Sequence, residues 1–491
     1  MPPENSSQCA TEENYSGNQK KSEKLELKKT IGLLNGVTLI VGSMIGSGIF
    51  ISPSGVFLKT GSIGSALIIW FLCGIYSLIG AYCYAELGCM IKRSSGDYAY
   101  VYEAFGPIMG FIRLWVDVLV TRPCSIAIVS LTFAQYFLEP FYYLCDQPLL
   151  AKQLLAAGCI LIITFVNCWS VKASTRVQDI CTYAKVSALI IIIMTGIVKL
   201  GMGYTINWES PFEGTTTNAG DMTMAFYTGL FAYTGWSYLN CMVEEMKDPV
   251  KDMPRAIFIS CGLVTLIYVL ANVSYFTILS KSEIFESNAL AVRIGYQMYG
   301  VMWWIIPLFV ALSTFGGVNG TILTTSRIFL VAAQIDQMPK CLAMINTKFS
   351  TPIPSVLFVA IVSLGYLLFP DIFTLMNYVG FVTWLTFGLA VLSLIYFRIK
   401  WKKVERPIRV NIVFPIIYLA VTVFLIIFAF IGGPFESMMG TLIMMSAIPV
   451  YWICVLWKRK PKRFNRMLES INISVQKMFM VILPAMPEKA M

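Results

Sequence analysis

The sequence predicts an all-α membrane protein with twelve transmembrane helices. Of its 491 residues, 57% are hydrophobic and only 13% are charged, whereas soluble domains need a far larger polar surface. Apolar stretches of roughly 20 residues, the length that crosses a bilayer core of about 30 Å, recur along most of the chain. Short polar or basic loops separate them. These observations exclude a string of soluble domains.

The first span follows a polar tail, residues 1–29, whose composition predicts disorder on the cytoplasmic side. A twelve-helix domain then occupies residues 30–457, and a second cytoplasmic tail occupies residues 458–491. In that tail, residues 464–483 mix apolar and charged side chains, which suits an interfacial helix as well as disorder. In chain order the spans are predicted at 31–57, 62–90, 104–137, 153–171, 178–200, 222–243, 254–280, 299–332, 354–369, 372–397, 411–432 and 437–457.

Basic residues are concentrated in the loops that follow even-numbered spans, such as residues 398–409. The positive-inside rule therefore places both termini in the cytoplasm. The net charge of +10 is explained by this topology and by anionic inner-leaflet lipid. No nucleic-acid partner is expected.

Glycine interrupts the first span at mid-depth, in the motif Gly46-Ser47-Gly48. A weakened helix is tolerated there only if its backbone lines a cavity. A packing face formed by Gly42 and Gly46 is the alternative. The sixth span repeats the pattern in the segment 229–237, which contains Gly235. Matched breaks in two five-helix halves indicate an inverted-repeat transporter with its site at the midplane.

Such a site has predictable chemistry. Where span one resumes, the amides of Ser47, Gly48 and Ile49 are free to hold a carboxylate. Carbonyls near Met44 and in the segment 231–234 are free to accept a substrate ammonium. The backbone of the two breaks is thus predicted to grip a zwitterion at both ends.

The sequence lacks the residues and motifs that other function classes require. The chain has no histidine, the commonest general base and metal ligand. It also has no Walker-type phosphate loop, CxxC pair or HExxH motif. No enzymatic role, catalytic residue, metal or cofactor is therefore predicted. A receptor needs no matched breaks, and an ion channel would show pore loops or charged rings.

Cys145 is the one cysteine of thirteen that falls in a predicted outer loop. A lone outer cysteine suggests an intermolecular disulfide, with a free thiol as the alternative. Sequons begin at Asn5, Asn14, Asn272, Asn319 and Asn472, and none lies in a predicted outer loop. The absence of an accessible sequon predicts a chain without N-glycans, which fits a glycosylated partner.

Several motifs resemble the light chains of heteromeric amino-acid transporters, the L-type group of the amino acid, polyamine and organocation superfamily. The resemblance runs from about residue 28 to the C-terminus. It is carried by the segments 45–53 (IGSGIFISP), 84–88 (YAELG), 167–179 (NCWSVKASTRVQD), 244–245 (EE), 315–320 (FGGVNG) and 405–408 (ERPI).

The resemblance implies a LeuT-like fold, a 5+5 inverted repeat plus two helices. It also implies amino-acid exchange across the plasma membrane and a disulfide to a single-span glycoprotein heavy chain through Cys145. It implies that Lys185 fills the place of a sodium ion used by coupled relatives. A lysine that snorkels to an interface is the alternative for Lys185. The substrate-binding residues implied by position are Met44, Gly46, Ser47, Gly48, Ile49, Phe231, Thr234, Trp236, Ser237 and Thr383.

Three of these positions depart from the large-neutral subgroup of the resembling family. Thr234 replaces glycine, and Ser237 and Thr383 each replace asparagine. Hydroxyl groups narrow the pocket beside Phe231 but add polar partners, so cationic and polar side chains stay open as substrates beside large neutral ones. The predicted function is an exchanger that is sodium-independent for at least one class of substrate. A self-sufficient permease without a heavy chain is the alternative.

A few charged residues also fall in or beside the spans. Arg113 and Asp117 are four residues apart and are predicted to neutralise each other. Arg122 has no obvious partner in the sequence. Glu244 and Glu245 at the inner end of span six are predicted to cap an intracellular gate.

Overall fold

A computed structural model describes residues 32–91, 96–142, 145–286, 290–334, 336–349, 351–369, 372–457 and 462–483. The predicted disordered tail 1–29 lies outside the described residues. Almost all of the described chain is helical, which confirms the predicted class. The helices are α1 Leu33–Met44, α2 Gly48–Thr60, α3 Ile63–Met90, α4 Asp97–Phe105, α5 Pro107–Val116, α6 Arg122–Leu138, α7 Leu149–Trp169, α8 Val171–Gly201, α9 Ala219–Ala232, α10 Pro249–Ile278, α11 Lys281–Glu286, α12 Leu290–Tyr299, α13 Ile305–Gln334, α14 Ile353–Tyr366, α15 Ile372–Lys400, α16 Val413–Gly432, α17 Pro434–Tyr451 and α18 Lys462–Phe479.

Non-α segments join or extend several of these helices. A π-helical turn, Asp117–Thr121, links α5 to α6, and a second, Trp452–Leu456, extends α17. A 3-10 helix, Trp236–Glu245, continues span six after α9. Shorter 3-10 turns are Glu139–Phe141, Ile206–Trp208, Gly300–Met302 and Lys340–Ala343, and the strands β1 Ile345–Asn346 and β2 Val481–Ile482 pair antiparallel.

Every predicted span coincides with helical structure. Within the described residues, 8 helices are long and apolar enough to cross a membrane, and the bent pair α1 and α2 makes a ninth span. The other three predicted spans fail that test of length and composition. Span six is divided between α9 and the 3-10 helix, span nine is the 14-residue α14, and span twelve is α17 with its π-helical turn.

The helices form two packed bodies. The first body contains spans one, two, six and seven, in which α2 packs on α9 and α3 packs on α10. The second body contains spans three, four, eight and nine, in which α6 packs on α13 and α7 packs on α14. Each of spans one to four therefore packs against the span five places later, the arrangement expected of a 5+5 repeat. Spans eleven and twelve, α16 and α17, both pack against α15, and α16 also packs on α9 while α17 packs on α5.

A buried amide network holds the second body together. Asn167 of α7 donates to Asn319 Oδ1 of α13 at 2.9 Å, and Ser174 of α8 donates to the same oxygen at 2.8 Å. Asn319 Nδ2 in turn donates to the Ser174 carbonyl at 2.9 Å. Because buried amides are costly unless paired, this network fixes three helices against one another. Asn319 is 0% exposed, so its sequon is inaccessible to glycosylation.

Candidate functional site

The first helix break lies between α1 and α2. The chain leaves the helix at Ile45, resumes at Gly48, and changes direction by 51°. The Ile45 amide closes α1 on Val41, and the Phe50 amide begins α2 on Ser47. Between them, the amides of Ser47, Gly48 and Ile49 have no backbone acceptor in the described chain. The predicted half-helix N-terminus is present, and its positive end carries three free donors.

Gly48 brings this break against span six. A Cβ atom at Gly48 would lie 2.4 Å from the Ala232 Cα, closer than any side chain tolerates. Gly42 and Gly46 have no such neighbour: nothing lies within 4 Å of a Cβ at Gly42, and the nearest atom to one at Gly46 is 3.9 Å away. The alternative of a Gly42 and Gly46 packing face is therefore wrong. The close contact is made by the glycine that begins α2.

The second break lies where α9 ends at Ala232 and the 3-10 helix begins at Trp236. Gly235 has φ +112°, a left-handed conformation that favours glycine. A Cβ there would also lie 2.7 Å from the Ser43 carbonyl oxygen. Ser43 Oγ donates to the Gly235 carbonyl at 3.2 Å. The two breaks therefore touch each other, as the matched glycines predict.

Protein groups engage most of the carbonyls that were predicted to receive a substrate ammonium. The Tyr268 hydroxyl of α10 lies 2.7 Å from the Met44 carbonyl and 3.0 Å from the Ala232 carbonyl. The Phe231 carbonyl accepts from Thr234 Oγ1 at 2.7 Å and from the Thr234 amide at 3.2 Å. A carbonyl oxygen has two lone pairs, so Met44 retains one acceptor site. For the Thr234 carbonyl, no donor occurs among the described residues.

Tyr268 is a functional candidate that sequence reasoning missed. It is fully buried and joins the ends of both broken helices through one hydroxyl. Its sequence signal is weak, because a tyrosine in an apolar span most often packs by its ring. The hydroxyl at mid-span is the only hint that it needs a polar partner.

Lys185 of α8 reaches the first break. Its side chain is 2% exposed, and its Nζ donates to the Gly42 carbonyl at 2.9 Å. That carbonyl belongs to the last turn of α1, where the half-helix dipole is negative and carbonyls lack helical partners. The snorkelling alternative is wrong. The backbone at the end of α1 therefore holds the Lys185 ammonium, and its role as an ion substitute stays a prediction.

Comparison with known proteins agrees with this geometry. The amino acid permease family model matches residues 31–457. The chain belongs to the amino acid permease family. It is 47% identical over 461 residues to the rat large neutral amino acids transporter small subunit 2, covering 93% of this chain and 86% of the relative. The motif resemblance to heteromeric transporter light chains is thereby confirmed.

Two further relatives of this permease differ in their named substrates. The human Asc-type amino acid transporter 1 is 42% identical over 466 residues, covering 94% of this chain and 89% of the relative. The human cystine/glutamate transporter is 40% identical over 467 residues, covering 95% and 92%. Similar overall identity to proteins of different named substrate means that identity alone does not select a substrate.

The side chains predicted to shape the permease pocket occupy different surroundings. Phe231 is 8% exposed and belongs to the apolar cluster of the second body. Trp236 instead packs edge-on against Tyr84 at 4.9 Å and lies 5.0 Å from Phe387, between spans two and ten. Ser47, Ile49 and Thr383 are buried, whereas Thr234, Ser237 and Gly46 are half-buried.

Two hydrogen bonds join the bodies on opposite sides of the breaks. Beyond the start of α2, the Tyr136 hydroxyl of α6 donates to the Phe50 carbonyl at 2.8 Å. Beyond the second break, Arg122 Nη1 donates to the Tyr238 hydroxyl at 3.1 Å, with the guanidinium 5.5 Å from that ring centroid. The sequence shows no obvious partner for Arg122, and the structure gives it Tyr238, 116 residues away, and Asp117 Oδ1, which lies 4.0 Å from its Nε. Each of these hydrogen bonds ties the second half of a broken span to span three.

The predicted pairing of Arg113 with Asp117 is confirmed at 2.7 Å. Asp97 of α4 adds a second carboxylate 2.7 Å from the same guanidinium. Asp117 begins the π-helical turn, a distortion that often marks functional segments. The side chains of Glu244 and Glu245 lie outside the described residues. No group of three or more acidic or cysteine side chains in the described chain could hold a metal.

Cys145 is exposed in the segment between the 3-10 turn Glu139–Phe141 and α7. Its amide donates to the Tyr142 carbonyl at 3.1 Å, which fixes the backbone beside the thiol. An exposed cysteine is available to a partner, unlike the cysteines buried within the spans.

Proposed function

We propose that this permease is an amino-acid exchanger whose substrate lies between the two helix breaks. The observation that carries the proposal is the set of three free amides at the start of α2, in direct contact with the broken span six. Fixed donors in a water-poor site suit a carboxylate. The relatives named as amino-acid transporters support the same conclusion. No catalytic role is proposed, because the site offers binding groups without a nucleophile or general base.

The substrate carboxylate binds the amides of Ser47, Gly48 and Ile49. Its ammonium binds the Thr234 carbonyl and the unused lone pair of Met44. The side chain then points toward Phe231, where the hydroxyl of Thr234 narrows the space. Large neutral amino acids fit this arrangement, and polar or cationic side chains gain a hydroxyl partner.

Lys185 sets the energy coupling. Its ammonium holds the end of α1, the place where an ion would otherwise neutralise the free carbonyls. Exchange therefore needs no sodium for at least one class of substrate. The gradients of the exchanged amino acids drive transport.

The chain is the light chain of a disulfide-linked heterodimer at the plasma membrane, with both termini in the cytoplasm. Cys145 forms the link to a single-span glycoprotein heavy chain. The relatives named as small subunits support a partner, and the exposure of Cys145 makes the bond accessible. The competing proposal is a self-sufficient permease without a heavy chain.

A counterflow assay in proteoliposomes tests the substrate site and the coupling. Preloaded vesicles should accumulate labelled large neutral amino acids equally in sodium and in choline buffer. Analogues with a reduced carboxyl group should bind weaker by about 1–3 kcal/mol, the cost of unpaired buried donors. Equal transport of an amino acid and its carboxyl-reduced analogue would contradict the site. Collapse of uptake for every substrate in choline would contradict the role of Lys185.

A non-reducing gel from surface-labelled cells tests the partner. The native chain should migrate as a covalent heterodimer, and Cys145→Ser should migrate as the single chain. Cys341→Ser is the matched control, since Cys341 is half-buried in the 3-10 turn between α13 and α14, on the side proposed to face the cytoplasm. A heterodimer that persists in full in Cys145→Ser would exclude this cysteine as the link.

A further inference from the structure

The C-terminal helix α18 has three sides of different character. Its half-buried side is formed by Leu468, Asn472, Val475 and Phe479, and α18 packs on the 3-10 turn Lys340–Ala343 and on α14. The segment for which an interfacial helix was predicted coincides with α18, and its position in the membrane interface stays a prediction. The protein itself therefore covers the half-buried side. The other two sides face outward.

The second side is an exposed apolar line. Met467, Ile471 and Met478 are 52%, 44% and 72% exposed. At about 100° per residue they share one line, turned by about 100° from the half-buried side. Long apolar side chains aligned on a protein-bound helix gain stability if a second apolar phase covers them.

The third side is basic. Arg463, Arg466 and Lys477 are exposed and lie about 60–120° from the apolar line, on the side away from the half-buried side. The one acidic residue of α18 is Glu469, which lies about 160–180° from the apolar line by helical geometry. An apolar line bordered by cations, with the anion opposite, is the pattern of a helix that lies in the interface of an anionic membrane.

The position of α18 in the chain brings it to the membrane. The π-helical turn that ends span twelve stops at Leu456, and α18 begins at Lys462. The five residues between them reach at most about 17 Å. The short connection keeps the start of α18 near the end of span twelve.

A short clasp keeps α18 in this place. Strand β2 pairs with β1 in the loop before α14. Asn346 Nδ2 donates to the Phe479 carbonyl at 2.7 Å, and the Thr347 amide donates to the Met480 carbonyl at 3.1 Å. The clasp ties α18 to the loop between spans eight and nine, which belong to the second body.

We propose that α18 is a binding surface for anionic lipid of the inner leaflet. Met467, Ile471 and Met478 insert between the lipid headgroups, and the basic side contacts the lipid phosphates and carboxylates. Through the clasp, the bound lipid holds the second body at the membrane surface. The proposal rests on the cytoplasmic placement of the C-terminus given under the proposed function.

Hydrogen–deuterium exchange of the full chain in nanodiscs tests the proposal. Discs of phosphatidylcholine alone are compared with discs that also contain phosphatidylserine. Amides of residues 462–479 should exchange at least about tenfold more slowly with phosphatidylserine, since each basic residue near an anionic surface contributes about a fivefold gain. Because both leaflets of a disc are alike, the result does not depend on orientation.

Two variants and a control separate the contribution of the basic residues from that of the apolar line. The triple variant Arg463→Gln, Arg466→Gln and Lys477→Gln should lose the dependence on phosphatidylserine. Ile471→Ser should exchange faster in discs that contain phosphatidylserine. Glu469→Gln, on the opposite side, should retain the full protection of the native chain.

Equal exchange in both disc compositions would overturn the proposal, as would protection that survives the triple variant. Slower exchange that depends on the number of chains per disc would overturn it too, by identifying a second copy as the occupant. Counterflow of the native chain in the same lipids reports the proposed function independently. Intact counterflow without lipid-dependent protection would sink the lipid proposal alone.

Discussion

The two helix breaks differ in what they leave free. After the first break the chain resumes as a regular α-helix, so the amides of Ser47, Gly48 and Ile49 lack acceptors within the described chain. After the second break the chain resumes as a 3-10 helix behind the left-handed Gly235, and side chains engage the nearby carbonyls. Span one therefore offers three amide donors without a backbone acceptor in the described chain. In span six, most carbonyls near the break already accept hydrogen bonds from protein side chains.

This difference indicates that the two breaks contribute unequally to substrate binding. Free donors at a half-helix N-terminus favour an anionic group. Tyr268 and Thr234 occupy carbonyls at the ends of α1 and α9, so the protein supplies part of the neutralisation that a cation would give. The substrate carboxylate is thus expected to dominate recognition, and the ammonium to contribute less. The following four changes test this difference.

The largest effect is expected for Gly48→Ala. The added Cβ would meet the Ala232 backbone at 2.4 Å, so the two breaks must separate and the three donors must move. Overpacking of this kind costs about 1–3 kcal/mol of stability, and counterflow should be abolished. Gly42→Ala is the control, because nothing lies within 4 Å of its added Cβ. Transport by Gly48→Ala at the native rate would show that contact between the breaks is dispensable.

The next largest effect is expected for Lys185→Met. The change leaves the Gly42 carbonyl unpaired in a buried place, which costs about 1–3 kcal/mol, and counterflow should fall by about tenfold or more. Lys199→Met on the same helix is the control, since Lys199 stacks on Tyr204 at 4.2 Å, far from the breaks. If both variants transport alike, the end of α1 does not need the ammonium.

A smaller effect is expected for Tyr268→Phe. Loss of the hydroxyl removes its contacts with the Met44 and Ala232 carbonyls, worth about 0.5–1.5 kcal/mol because its single proton makes one neutral hydrogen bond at a time. The freed carbonyls should then compete for cations, so transport should become sensitive to sodium. Tyr275→Phe on the same helix is the control, because its buried hydroxyl has no partner among the described residues. A loss of the same size in Tyr275→Phe would mean that Tyr268 acts only by packing.

The smallest effect is expected for Thr234→Gly. Removing the side chain frees one acceptor site on the Phe231 carbonyl and widens the space beside that ring. Uptake should shift by a few fold toward bulky neutral amino acids, the scale of about one methylene group in a pocket. Competition between a bulky neutral and a cationic amino acid measures the shift. Unchanged selectivity would place Thr234 away from the substrate side chain.

Sequence reasoning located both breaks because glycine in a membrane helix is a local signal. It also found the pairing of Arg113 with Asp117, since four residues of spacing suffice to predict contact on a helix. It missed the occupancy of the Met44 carbonyl because Tyr268 lies 224 residues away. The hydrogen bond from Arg122 to Tyr238 was missed for the same reason, since 116 residues separate the two. Contacts between distant spans depend on tertiary packing, which a single sequence does not encode locally.

The hydrogen bonds of Tyr136 and Arg122 contribute to the free-energy cost of opening the carrier to each side of the membrane. The link from Tyr136 to the Phe50 carbonyl joins neutral groups, worth about 0.5–1.5 kcal/mol. The link from Arg122 to Tyr238 has a charged donor, worth about 1.5–3 kcal/mol. Each of these hydrogen bonds contributes a few kcal/mol at most, so the free-energy costs of opening to the two sides differ little on their account. A carrier whose two sides are held by such weak hydrogen bonds favours neither orientation strongly, so it is expected to take up its substrate from either side of the membrane.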